Sequence, residues 1–134
     1  MNNIEIIFFE EYKKLDNLCK DLLGSNQGIT QYVNEMEQIP FEKSKLVESW
    51  QYDYKMLKHI RWIRNNIAHN NGDSKCSESD VQYVKNFYQR IINRTDPFSL
   101  INVEIRKAEA ISISLFNNNF NISILHFVII HFCS

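Results

Sequence analysis

The chain is poor in residues that break helices: three glycines and two prolines among 134 residues. So few breakers leave little material for closely spaced turns and favour long helices. Cysteine is scarce as well. Cys19, Cys76 and Cys133 are an odd number at wide spacing, with no CxxC pair. That argues against a disulfide framework and reads as the reduced thiols of a cytoplasmic protein. Charge of one sign is missing too. The net charge is −1 and the pI about 6.4, so any nucleic-acid site must be a local patch. No glycine-rich phosphate loop and no Ser–His–Asp constellation occurs. The N-terminal stretch has no basic start and carries Glu5 and Glu10, unlike a secretory signal. Ile122–Phe132 is an apolar run of about 11 residues, short of the roughly 20 that span a bilayer, so no membrane span is expected. No internal repeat is visible.

What is present is enough apolar material for a core. Hydrophobic residues make up 44%, and the length suits one domain without metals or disulfides. Spacings of three and four predict a first helix over residues 3–23, with Ile4, Phe8, Tyr12, Leu15, Cys19 and Leu22 facing inward and Gly24 ending it. A short helix is expected from Thr30 to about Glu37, with Tyr32, Val33 and Met36 inward. After Pro40 one long helix is expected from about Glu42 to Ala68, its stripe formed by Met56, Ile60, Ile63 and Ile67. Asn70-Asn71-Gly72-Asp73 reads as a stop and loop. Ser77 to Arg94 reads as a further helix with a Ser77/Asp80 capping box and a core face of Val81, Val84, Tyr88 and Ile91. Asp96-Pro97 starts a short helical segment to about Ala110. Residues 111–134 contain no Asp, Glu, Lys or Arg. That stretch reads as an apolar C-terminal extension: a terminal helix, a strand pair around Asn117-Asn118-Asn119, or a sticky tail.

The chemistry-bearing segment ends the long helix. Between Lys55 and His69 lie Lys55, Lys58, Arg61 and Arg64 and no acidic residue, a positive patch in a near-neutral protein. At about 100° per residue, Arg64 falls at the border of the apolar stripe. Trp62 falls on the far side among Lys55, Lys58, Asn65, Asn66 and His69. Such a tryptophan either stacks on a base or partner, or is covered by a neighbouring helix of the same chain. Arginine can grip a phosphate with two hydrogen bonds and stabilise developing charge, and histidine can exchange a proton near neutral pH. An RNA 2′-hydroxyl would be the nucleophile, with no metal required. The alternative is that Arg64 pairs with a carboxylate such as Asp53 and His69 caps the helix. Arg64 and His69 point about 140° apart on a straight helix, so a bend or a second subunit must bring them together.

The segment Trp50-Gln-Tyr-Asp53-Tyr54-Lys-Met-Leu57-Lys-His-Ile-Arg61-Trp-Ile-Arg64-Asn65-Asn-Ile67-Ala68-His69 resembles the catalytic helix of HEPN domains, in which an R-[polar]-x-x-x-H motif ends a helix of the bundle. Phe9–Tyr12, Tyr32–Glu37 and Arg94–Leu100 resemble small bacterial one-domain proteins that carry this helix, so the likeness covers residues 3 to about 105. The resemblance implies an all-α, up-and-down bundle of four to five helices over residues 1–110, followed by the extension over residues 111–134. It implies a metal-independent endoribonuclease of stress response, toxin–antitoxin pairs or phage defence. The active-site roles would fall to Arg64, Asn65 and His69, and dimerisation would join two motifs in one site. Lys55, Lys58, Arg61, Trp62 and Asn66 are the expected RNA or partner contacts. No cofactor or metal is expected; RNA, a second copy and an antitoxin are the expected partners. Asn71 stands where one toxin subgroup has a modifiable tyrosine, so that form of regulation is not expected. Many HEPN domains are inactive, which keeps a non-catalytic RNA- or protein-binding module as the alternative. His126, His131 and Cys133 are expected to pack rather than ligate metal, His59 to be solvent-exposed, and Cys76 not to act as a nucleophile.

Overall fold

The computed structural model describes residues 1–69 and 75–118, and these residues form an all-helical bundle. Helix α1, Asn3–Leu23, starts at a capping box. The Asn2 side chain accepts from the Glu5 N–H at 2.9 Å, and Glu5 accepts from the Asn2 N–H at 3.2 Å. Two otherwise orphaned donors are thereby satisfied. The helix ends where Gly24 adopts a left-handed conformation, φ 60°, which glycine takes without a Cβ penalty.

Helix α2, Gly28–Gln38, turns back across α1. Its start lies so close to α1 that a Cβ on Gly28 would sit 2.0 Å from the Asp16 carbonyl oxygen. Asp16 Oδ1 accepts the Ile29 N–H at 2.9 Å, so α1 supplies the cap that Gln27 does not. Pro40 then opens a single turn, α3, Phe41–Ser44.

Helix α4, Trp50–Ala68, carries the motif. The single long helix expected from Glu42 is therefore broken between Ser44 and Trp50. One local cause is visible. The Ser44 hydroxyl donates to the Phe41 carbonyl at 2.7 Å, competing with helix continuation. Past the break, Val47 and Trp50 are both buried.

Helix α5, Glu78–Ile92, begins at the expected Ser77/Asp80 capping box. It ends with Arg94 in the left-handed region, φ 58°, while the Thr95 N–H reaches the Arg90 carbonyl at 2.8 Å. Helix α6, Pro97–Asn117, has its proline at the start, where no donor is lost. It runs past Ala110 into the charge-free region.

The core lies between α1, α2, α4 and α5. Phe8, Leu15, Tyr32, Leu57, Ile60, Val84 and Phe87 are among its fully buried side chains. Tyr32 packs edge-on against Phe87 and Phe98, at centroid distances of 5.4 and 4.8 Å. Most inward assignments hold, but Leu22 does not, and Ile4, Met56 and Tyr88 are only partly buried against the core. Leu22 is exposed, and its neighbour Leu23 packs against the core instead. On α5, Tyr88 is only partly buried while Tyr83 and Phe87 fill the core. Helix α6 joins through Phe98, Leu100, Ile101 and Ile105; further along, Ile111, Ile113 and Phe116 are exposed. No described helix is long and apolar enough to cross a membrane.

Candidate functional site

Helix α4 is anchored by a buried ion pair. Asp53 is fully buried and receives two hydrogen bonds from Arg90 of α5, each 2.8 Å, and one from the Tyr83 hydroxyl at 2.8 Å. Arg90 also donates to Ser49 Oγ at 3.2 Å and to the Thr95 carbonyl. Asp53 is therefore the partner of Arg90, not of Arg64. Its position at the first turn of α4 and the fork of a guanidinium make that pairing bidentate.

With Asp53 engaged elsewhere, Arg64 is half-buried at the edge of the core. Its guanidinium lies over the Phe9 ring, 5.8 Å from the centroid, and reaches the Asn65 side-chain oxygen at 3.4 Å. One turn earlier, Arg61 lies on the same side of the helix, as positions three apart do. Arg61, Arg64 and Asn65 line a cleft of about 260 Å³ together with Tyr12, Asp16 and Lys20 of α1 and the start of α2. Among the described residues neither arginine makes an ion pair. Tyr12 at the cleft floor is held protonated far above the ordinary phenol range, by burial first and by Asp16 second, against the pull of Arg64 and Arg61.

His69 stands at the C-terminal end of α4, exposed, with its backbone N–H still bonded to the Asn65 carbonyl at 3.0 Å. The helix therefore does not bend before it. His69 keeps its place on the outer face, two turns beyond Trp62, and is not among the residues that line the cleft. A single chain thus brings together Arg61, Arg64 and Asn65 and leaves His69 outside.

Trp62 is 49% exposed, and no described helix covers it. Its ring stacks on His59, with centroids 6.2 Å apart and planes 19° apart. His59 is exposed, as expected, and is also held by a hydrogen bond. Its Nε2 bonds Asp80 Oδ1 of α5 at 3.0 Å, and Asp80 is the residue that completes the α5 capping box. The cap thereby also fixes one side of the aromatic pair. Lys58 lies over the Tyr54 ring at 4.8 Å, Lys55 is exposed and Asn66 is half-exposed. The expected contact residues form two neighbouring surfaces on one helix: a guanidinium-lined cleft, and an outer strip of His59, Trp62 and His69.

Sequence reasoning did not select Tyr12, Asp16, Lys20 and Gly28 as site residues. They lie far from the motif in sequence. The one local signal was the four-residue spacing of Asp16 and Lys20, an ordinary surface pattern. Among the described residues no group of His, Cys, Asp or Glu could hold a metal ion. His126, His131 and Cys133 lie outside the described residues. Cys76 is half-buried, and burial, then Asp80 and Glu5, push its thiol up to about 11, consistent with an unreactive cysteine.

No curated protein and no solved structure matches the chain. A family model does, over residues 6–123, which takes in the core, the cleft and the end of α4. The chain belongs to that family, a family of unknown function designated DUF6548.

Proposed function

We propose that the protein is a metal-independent endoribonuclease of HEPN type that works as a homodimer, in stress response, toxin–antitoxin pairing or phage defence in the cytoplasm. The observation that carries this reading is the end of α4. It places an arginine without a carboxylate partner among the described residues, a polar neighbour and an exposed histidine on a strip free of acidic residues.

The chemistry would be transesterification. The RNA 2′-oxygen attacks phosphorus, its proton passes to a base, the 5′-oxygen leaves with a proton, and a 2′,3′-cyclic phosphate remains. His69 would supply or accept a proton, and Arg64 would stabilise the charge that builds on the phosphoryl oxygens. Because α4 stays helical to His69, the reading requires Arg64 of one protomer to meet His69 of the other. An antitoxin would then act by covering the outer face of α4.

The test is incubation of single-stranded and structured RNA with purified protein in EDTA, with end-group analysis for cyclic phosphate. Loss of cleavage in both Arg64→Ala and His69→Ala, with helicity intact, is expected. Cleavage that persists equally in both variants refutes the assignment. A second reading, a non-catalytic RNA-binding module, is favoured by the exposed His59–Trp62 stack. It predicts RNA binding without cleavage, lost in Trp62→Ala.

A further inference from the structure

The cleft between α1, the start of α2 and α4 has an electrostatic composition that the motif alone does not explain. Its single carboxylate, Asp16, is already engaged on both oxygens: Oδ1 accepts the Ile29 N–H at 2.9 Å, and Oδ2 pairs with Lys20 at 3.4 Å. Arg61 and Arg64 face the same space without an ion-pair partner among the described residues. One carboxylate against three cations leaves an excess of two positive charges in a half-enclosed space. Elsewhere in the same protein a half-buried arginine, Arg90, is fully paired. Two guanidinium groups held side by side, partly desolvated and unpaired, repel one another. A tetrahedral dianion or a phosphodiester accepting from both would relieve that.

We propose that this cleft is a phosphate subsite that grips one phosphodiester of a single-stranded RNA, with Arg61, Arg64 and Lys20 as its donors. The start of α2 is not counted as a donor, because its Ile29 N–H already belongs to Asp16. The volume of about 260 Å³ admits a phosphate with part of its sugar, not a whole folded helix of RNA. Gly28 keeps the cleft closed at its base, since any side chain there would push α2 away from Asp16. Arg64 belongs to this subsite and to the proposed cutting centre, so the phosphate bound here neighbours the one that is cut. The inference rests on the RNA reading for the source of the phosphate.

The experiment measures binding of a fluorescent oligouridylate to the full chain by anisotropy over a range of salt, with inorganic phosphate and uridine monophosphate as competitors. Arg61→Gln and Lys20→Gln should each weaken binding about tenfold, and Arg61→Gln should lower the salt slope by about one. Asp16→Asn removes the internal anion while its amide oxygen still accepts from Ile29, and should tighten binding several-fold. Lys107→Gln, on exposed α6, should change nothing. Competition by phosphate only at millimolar concentration supports RNA as the source. Micromolar phosphate binding without RNA binding overturns it. Unchanged affinity and slope in Arg61→Gln, or weaker binding in a folded Asp16→Asn, overturns the subsite. The two proposals fail separately: binding through the cleft without cleavage ends the nuclease reading, whereas cleavage indifferent to Arg61 and Lys20 ends the subsite.

Discussion

Arg90 of α5 holds Asp53 of α4 through two 2.8 Å hydrogen bonds, one to each carboxylate oxygen. Asp53 is fully buried, so removing the guanidinium strands a charge in the core. Arg90→Met should destabilise the protein by about 3 kcal/mol, the scale of a broken buried pair. Urea unfolding followed by circular dichroism checks this. Asp53→Asn/Arg90→Met together should recover part of the loss, because the stranded charge is gone.

The buried tyrosines make the fold sensitive to alkali. Tyr12, Tyr32 and Tyr83 are all pushed above the ordinary phenol range, by burial first and then by Asp16, Asp96 and Asp53 respectively. A group whose folded pKa exceeds its unfolded value stabilises fully below the unfolded pKa, here about 10, and loses that contribution as pH rises. A share of the phenolate absorbance should therefore appear only together with loss of helical signal. Complete phenolate absorbance in a still-helical protein would contradict this.

Tyr32 also bridges elements. Its hydroxyl donates to the buried Asp96 and accepts the Phe98 N–H at 3.3 Å, tying α2 to the start of α6. Tyr32→Phe keeps the ring but removes a partner from the Phe98 N–H and from Asp96 Oδ2, leaving Asp96, among the described residues, only its bond from Ser99, at a cost of about 2 kcal/mol. Hydrogen exchange should show the loss concentrated at the start of α6.

Cys76 offers a chemical check. With its thiol pushed up to about 11, roughly one molecule in a thousand is thiolate at pH 8. Alkylation read at the Cys76 peptide by mass spectrometry should be at least tenfold slower than for an unstructured cysteine and should accelerate as pH rises. Equal rates at pH 8 would show the site to be open.

Subunit mixing addresses the geometry of Arg64 and His69. If cleavage uses one residue from each protomer, Arg64→Ala and His69→Ala chains, each dead alone, should together recover about a quarter of wild-type activity. Full inactivity of the mixture, in a protein whose wild type cuts RNA, places both residues in one chain.

Helix existence and most of its inward faces were readable from local pattern. The Ser77/Asp80 box, the Gly24 stop and the spacing of Phe8, Tyr12, Leu15 and Cys19 each act within a few residues of chain, so local sequence suffices. The break between Ser44 and Trp50 was not readable, because no glycine or proline between them marks it. The extent of α6 was underestimated because loss of charge at residue 111 is a change of composition, not of backbone preference.

The same division runs through the site. The sequence by itself determined the Arg64–His69 spacing, the acid-free strip before it and the outward place of Trp62, all properties of one helix. Only the tertiary structure decided which arginine takes Asp53. It alone set Asp16, Lys20 and the close approach at Gly28 against Arg61 and Arg64. Those partners are joined by packing across three helices, and an ion pair depends on separation in space, which linear spacing does not encode.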